Sequence, residues 1–350
     1  MPIQTYNSSG GLIFDSNLVN GTISLGVYQI PSNSSFSKSW PELQGMTISA
    51  YDMFGYGYDA ATNIDPASVL TVSQSPPSIS ASPYVAPRTV MVVASGTPAA
   101  QNVAGMFALN ASGQIGLSPS GRGLVYIGQA SVVGYQNSTW DYDGAVDEYY
   151  GQLGYTKLQV TSPTQPIAFT SLPEGVTLID PPVFINVSGN LWEAWMQAVA
   201  TTDPFIGGST GWAALYNPAV YCFAATATPG GGASCAVYDS NGALAYDLMA
   251  GKLLATAGSG ALVPTGGSIG GPGLTSPGIF GKARYQGVTQ GRFSDTENIY
   301  YGGWYRSGST YAVRSCCTEV NISPPPYPGP SISRYYAYSS SLVFTDLAQY

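Results

Sequence analysis

Histidine does not occur in this chain. Its absence removes the commonest general base, the side chain that titrates nearest neutrality and the commonest transition-metal ligand. A Ser–His–Asp triad and a His-ligated zinc site are therefore excluded. Charge is scarce too: 9% of residues are Asp, Glu, Lys or Arg, against about 25% in an ordinary globular protein. No Lys/Arg cluster exists that could displace counterions from phosphates, so a nucleic-acid partner is not expected. No apolar run reaches the ~18 residues of a membrane-spanning helix. The opening MPIQTYNSSG has neither the basic start nor the apolar stretch of a signal peptide. The expectation is a chain that neither spans a membrane nor leaves by the general secretory route.

Cysteine is sparse, at Cys222, Cys235, Cys316 and Cys317. The adjacent pair points to opposite faces if extended, and a vicinal bond would be strained. Cys222 and Cys235 could bridge the glycine-rich stretch between them, with buried free thiols as the preferred alternative.

What replaces charge is 43 Gly, 26 Pro and 26 Tyr, with abundant Ser, Thr, Asn and Gln. A surface of hydroxyls and amides suits packing between subunits, because burying a hydroxyl costs far less than burying a charge. The net charge of −8 is uneven: residues 1–250 sum to −11 and residues 251–350 to +3. Such ends attract each other between domains or between copies.

Runs rich in β-branched and aromatic residues at 22–30, 46–54, 89–95, 123–135, 298–305, 310–317 and 334–344 are bounded by Gly, Pro, Asn or Ser. They predict an all-β protein of two or more sandwich-like or barrel-like domains, with long Pro/Gly-rich loops and very little helix. The breaks suggest an N-terminal β domain at 1–160, a middle β segment at 161–230 and a C-terminal β domain at 231–350. Pro-rich stretches at 75–87 and 161–166 read as connections or edge crossovers and not as central strands. The glycine-rich 256–281 reads as a loop, preferably one that orders only within an assembly. Residues 190–203 fit either an amphipathic helix capped by Asn190 or a hairpin turning at Ser188 and Gly189, with the hairpin favoured.

One phrase recurs. TYNSSGGLIFDS at 5–16 returns as VYDSNGALAYDL at 237–248, matching Tyr6, Asn7, Ser8, Gly10, Leu12, Phe14 and Asp15 to residues 232 positions later. A weaker copy, LNASGQIGLS at 109–118, aligns through Asn110 and Gly113. Each predicts a hairpin in which Asn or Asp opens the turn and Gly supplies the positive φ. The unequal spacing argues against a simple two-domain duplication.

Hard oxygen donors concentrate in WDYDGAVDEYY at 140–150. Asp141, Asp143, Asp147 and Glu148 suit Ca²⁺ or Mg²⁺ better than any softer metal; a solvated acidic loop is the preferred reading and a structural cation site, Ca²⁺ first, the alternative. The twelve-residue frame and distal Glu of a helix-loop-helix calcium loop are missing. No spacing pairs two acids for catalysis among Asp141, Asp143, Glu174, Asp180 and Glu193, so no enzyme is expected. Amphipathic rings cluster at Tyr300, Tyr301, Trp304 and Tyr305 and at Tyr335, Tyr336 and Tyr338. Exposed, these would stack on sugars or anchor a partner; buried, they would be ordinary sheet pairing.

The order Tyr-Asn-x-x-Gly-x-Leu-x-Phe-Asp-Ser at 6–16 resembles the N-terminal hairpin of small β-rich virion proteins of tailed bacteriophages, associated with the tail tip or its fibres. The resemblance implies a structural virion protein, made in the host cytoplasm, bound to other virion proteins and in contact with the host surface; the low-charge surface adds the expectation of a homo-oligomer, and the tyrosine clusters that of a host-surface glycan as a further partner. Two alternatives stay open: a jelly-roll capsid subunit of an icosahedral, for instance archaeal, virus, and a carbohydrate-binding β module.

Overall fold

The computed structural model describes residues 4–6, 12–15, 22–54, 70–83, 88–95, 108–109, 115–117, 123–136, 139–143, 148–200, 215–225, 236–238, 242, 244–247, 253–254, 256–262, 267–283, 285–290, 296–322, 332–337 and 340–350. Within them every regular element is a strand, apart from 3₁₀ turns at Pro41–Leu43 and Leu347–Gln349. The protein is all-β, as its turn-bounded β-branched runs predict.

The recurring phrase forms three hairpins: β1 (Gln4–Tyr6) with β2 (Leu12–Asp15), β9 (Ala108–Leu109) with β10 (Ile115–Leu117), and β21 (Ala236–Tyr238) with β22 (Leu244–Asp247). Tyr6 faces Leu12, Leu109 faces Ile115 and Tyr238 faces Leu244. One residue further out, Thr5 faces Phe14, Ala108 faces Leu117 and Val237 faces Tyr246, each across the same irregularity in register. Identical pairing in all three copies follows from the shared turn chemistry, since turn length and type fix hairpin register.

Each hairpin opens a unit. The first continues with β3 (Thr22–Ile30), β4 (Phe36–Ser39), β5 (Thr47–Phe54), β6 (Leu70–Gln74), β7 (Pro77–Ala81) and β8 (Arg88–Ser95). The second continues with β11 (Leu124–Gln129), β12 (Ser131–Gln136), β13 (Thr139–Asp143), β14 (Glu148–Gln152), β15 (Tyr155–Thr161), β16 (Pro166–Ser171), β17 (Val176–Asp180), β18 (Ile185–Ser188), β19 (Leu191–Ala200) and β20 (Val220–Ala225). The third continues with β23 (Thr256–Leu262), β24 (Ile269–Gly270), β25 (Pro277–Phe280), β26 (Tyr285–Gln290), β27 (Thr296–Ser307), β28 (Thr310–Ile322), β29 (Ile332–Ala337) and β30 (Ser340–Asp346).

In every unit the first strand after the hairpin pairs with the last strand, which pairs in turn with an intermediate one. The three trios are β3-β8-β5, β11-β20-β16 and β23-β30-β25. The first strand of each trio carries a bulge ending at a glycine of positive φ: Gly26 (125°), Gly128 (120°) and Gly258 (157°). Across each trio these glycines lie in equivalent rows, Gly26–Val92–Ala50, Gly128–Cys222–Ala168 and Gly258–Phe344–Ile279. The second and third trios join through β16 and β25 into one six-stranded sheet.

Four sheets stack. The outermost, β4-β7-β6, packs Ile79 and Ala81 against Ile23, Ile48, Val90 and Val92 of β3-β8-β5. The other face of β3-β8-β5 sets Tyr51, Met53, Met91 and Val93 on Phe169, Phe223, Phe280 and Val343 of the six-stranded sheet. That sheet's far face meets a twelve-stranded sheet through Ala168, Cys222, Ile279 and Phe344 against Trp192, Met196, Leu178 and Trp304. A strand in a middle layer has no solvent side, which is why RTVMVVAS of β8 is buried at every residue but the last. In the twelve-stranded sheet β12, β15, β19, β17, β27, β28, β14 and β13 follow in order, so strands on both sides of residue 160 share it.

Two sequence expectations are corrected. The Pro-rich 75–87 contains β7, the central strand of its sheet. Pro77 is tolerated because it stands first in the strand, after a cis Ser75–Pro76 turn. The glycine-rich 256–281 is not one long loop, since among its described residues it supplies β23, β24 and β25. Its glycines permit close approach, since a side chain at Gly271 would meet the Ser309 carbonyl oxygen at 2.8 Å and one at Gly278 the Leu347 Cγ at 2.7 Å. Residues 185–200 form the favoured hairpin, with Gly189 at φ 52° and the Asn186 amide donating to its carbonyl at 2.8 Å.

Candidate functional site

Alternation along β15 and β19 creates two faces. Thr156, Leu158 and Val160 with Trp192, Ala194 and Met196 point into the core, while Lys157, Gln159, Glu193 and Trp195 point away from it. Antiparallel register sets Lys157 beside Trp195 and Gln159 beside Glu193. Trp195 keeps 43% of its surface exposed. The Lys157 ammonium sits 5.7 Å from the indole centroid and donates to Glu193 Oε2 at 2.7 Å. Gln159 Nε2 donates to Glu193 Oε1 at 2.5 Å. The Lys157 bond first, and the Gln159 bond second, hold the Glu193 carboxyl below the usual carboxylate range. On one flank Gly134 stands opposite Lys157 and Ser131 opposite Gln159; on the other Ile185 stands opposite Glu193.

Six of the seven exposed large apolar side chains among the described residues lie on β12, β18 and β19: Val132, Val133, Tyr135, Ile185, Val187 and Trp195. Among the described residues β12 pairs only with β15, and no described strand lies along its other edge. At its end the Asn217 amide donates to the Tyr135 hydroxyl at 3.1 Å and accepts from Thr156 Oγ1 at 2.6 Å.

Sequence reasoning singled out other residues. Trp304 is a correction: it is 0% exposed and packs in the core between the six- and twelve-stranded sheets, unable to meet a ligand. Tyr305 is half-buried with the Arg314 guanidinium 3.6 Å over its ring, and Tyr301 packs on Leu153, Ile179, Val199 and Cys316. Tyr300 and Tyr335 both stand opposite Gly287, and Tyr301 and Tyr336 opposite Gln286. The side chains of Tyr335 and Tyr336, and all of Tyr338, lie outside the described residues. The acidic stretch forms the β13–β14 hairpin with Asp143 opposite Glu148 and Asp141 opposite Tyr150. The side chains of Asp141, Asp143 and Glu148, and all of Asp147, lie outside the described residues, so the cation expectation stands on sequence.

Of the acids considered for catalysis, Glu193 is held by Lys157 and Asp180 by the buried Lys282. Cys222 is a free thiol, 0% exposed, and burial pushes its pKa up to about 12. Cys235, the other end of the bridge considered from sequence, lies outside the described residues. Cys316, like Cys222, is buried.

Sequence reasoning did not single out Trp195, although it favoured the hairpin over the helix that would put Trp192, Trp195 and Met196 on one side. The period-2 reading of the same residues separates them, and it was the available signal. Comparison of the chain with known family models, with curated proteins and with solved structures finds no match.

Proposed function

We propose that the chain is a structural virion protein of a tailed bacteriophage, placed in the tail-tip or fibre complex. It works through contacts with neighbouring subunits and with the host surface. The observation that carries the reading is the tandem repetition of one hairpin-led unit, three times in one register. Repetition of a β unit multiplies surface and edges, the material of an assembly, where an enzyme concentrates its residues at one cleft. The resemblance of the first hairpin to those of tail-associated virion proteins supports the same reading.

Contact between copies runs through β12. Its sequence, SVVGYQ, has no charge and no proline, the devices that normally protect an open sheet edge. Exposed Val132, Val133 and Tyr135 add apolar area to the backbone groups there. A second copy adding its own strand satisfies both.

The test is quantitative mass spectrometry of purified particles, with antibody labelling seen by electron microscopy. The expected result is a fixed copy number per particle and label on the tail. Label on the icosahedral shell would transfer the chain to the capsid reading, and absence from particles would end both.

A further inference from the structure

We infer that the face around Trp195 is a binding site for a neutral glycan, with one pyranose ring lying flat on the indole. The inference deepens the host-contact part of the proposal, yet stands on this sheet face alone.

The ligand class follows from what surrounds the ring. A protein partner of ordinary size is anchored by a contiguous dry apolar cluster. Here the exposed indole is bordered by Lys157 and Glu193, and the next row runs Ser131, Gln159, Glu193 and the exposed Ile185, so polar groups interrupt the apolar surface. A pyranose offers what this arrangement lacks: an aliphatic C–H face for the ring and a rim of hydroxyls for the polar groups. The Lys157–Glu193 pair cancels its own charge, so the site favours a neutral sugar over an acidic one.

The polar groups are set before any ligand arrives. Lys157 and Gln159 each donate to a different oxygen of Glu193. A carboxylate offers about four acceptor positions, and the two hydrogen bonds named leave room for sugar hydroxyls. Neighbouring strands lie about 4.8 Å apart and alternate residues about 7 Å along a strand, so the four side chains span roughly one sugar ring. Because they stand on paired strands they lose little freedom on binding, which favours recognition by a rigid platform. Gly134 carries no side chain beside Lys157, and even a Cβ at that position would come no nearer than 4.0 Å to Lys157 Cβ. Among the described residues the platform is therefore open at Gly134, which leaves room there for a second sugar.

The experiment presents the full-length protein to an array of neutral oligosaccharides built from glucose, galactose, N-acetylglucosamine and rhamnose. Binding to at least one is expected. Trp195→Ala should bind that glycan about tenfold more weakly, the loss of one aromatic stack, with an unchanged melting curve. Gln159→Ala should weaken it without touching the indole. Should W195A not fold, the wild-type protein answers instead: bound glycan should protect Trp195 from oxidation by N-bromosuccinimide, read on its peptide by mass spectrometry. No binding to any glycan, full binding by W195A, or unprotected Trp195 each overturns the inference. None of these outcomes alters whether the chain is found in particles, so the two readings fail separately.

Discussion

Individual residues here are constrained more by neighbouring backbone than by chemistry. Gly281 sits at φ 143°, and a side chain there would run into the Ser341 carbonyl. Gly270, eleven positions earlier, has open space and no positive φ. Gly281→Ala should lower unfolding stability by more than about 1 kcal/mol, and Gly270→Ala should stay within about 0.5 kcal/mol, both read from urea midpoints. Equal losses would show that crowding does not explain the glycines of this region. Cys222 tests burial directly. With its thiol pushed up to about 12 and no exposed surface, it should resist iodoacetamide at pH 8 in the native protein and react once unfolded. Glu193 titrates the other way. Its carboxyl lies below the usual range, so its bonds to Lys157 and Gln159 contribute fully above that range and are lost as pH falls through the depressed value. Carboxyl NMR should place its midpoint below that of an unpaired glutamate, and an ordinary midpoint would mean that the network does not hold in solution.

At the scale of elements, hairpins and edges decide behaviour. The three hairpins share one register because the Asn/Asp and Gly of the turn act within a few residues, whatever surrounds them. Edges depend on what lies next door. β7 carries Pro77 without harm because that residue begins the strand, and β12 stays open because nothing described pairs with its far side. Lysine at Val133 would put a charge on that edge and block strand addition. Val133→Lys should move the protein toward monomer in light scattering after size exclusion, leaving its fold intact by circular dichroism. A wild-type monomer at high concentration would remove β12 from the assembly.

For the whole molecule, stacking binds the units to one another. Met91 and Val93 of the first unit share a core with Phe169 and Phe223 of the second and with Phe280 and Val343 of the third. The described sheets should therefore unfold in one cooperative transition, since no layer between them keeps a complete core alone. Phe169→Ala, at 0% exposure, should cost about 3–5 kcal/mol and lower that single transition in calorimetry. Two separate transitions, with only one of them shifted, would show independent domains.

Strand content, the hairpin turns and the recurrence of the opening phrase were fixed by local sequence, because turn chemistry and two-residue alternation act over a few neighbours. The favoured hairpin at 185–200 and the strands at 22–30 and 310–317 were legible for that reason. What lies between distant segments was not. That a third, weak phrase at 109–118 opens a full unit became visible only through the matching trios. That 256–281 supplies three strands became visible only when Ser309, Ser341 and Leu347 were brought against its glycines. Trp304 and Trp195 make the same point from opposite sides. Both are tryptophans in strands of one sheet, yet packing against the six-stranded sheet buries the first, and only alternation within a hairpin leaves the second on an uncovered face. A sequence states how apolar a side chain is; which sheet covers it is settled by contacts between residues far apart in the chain.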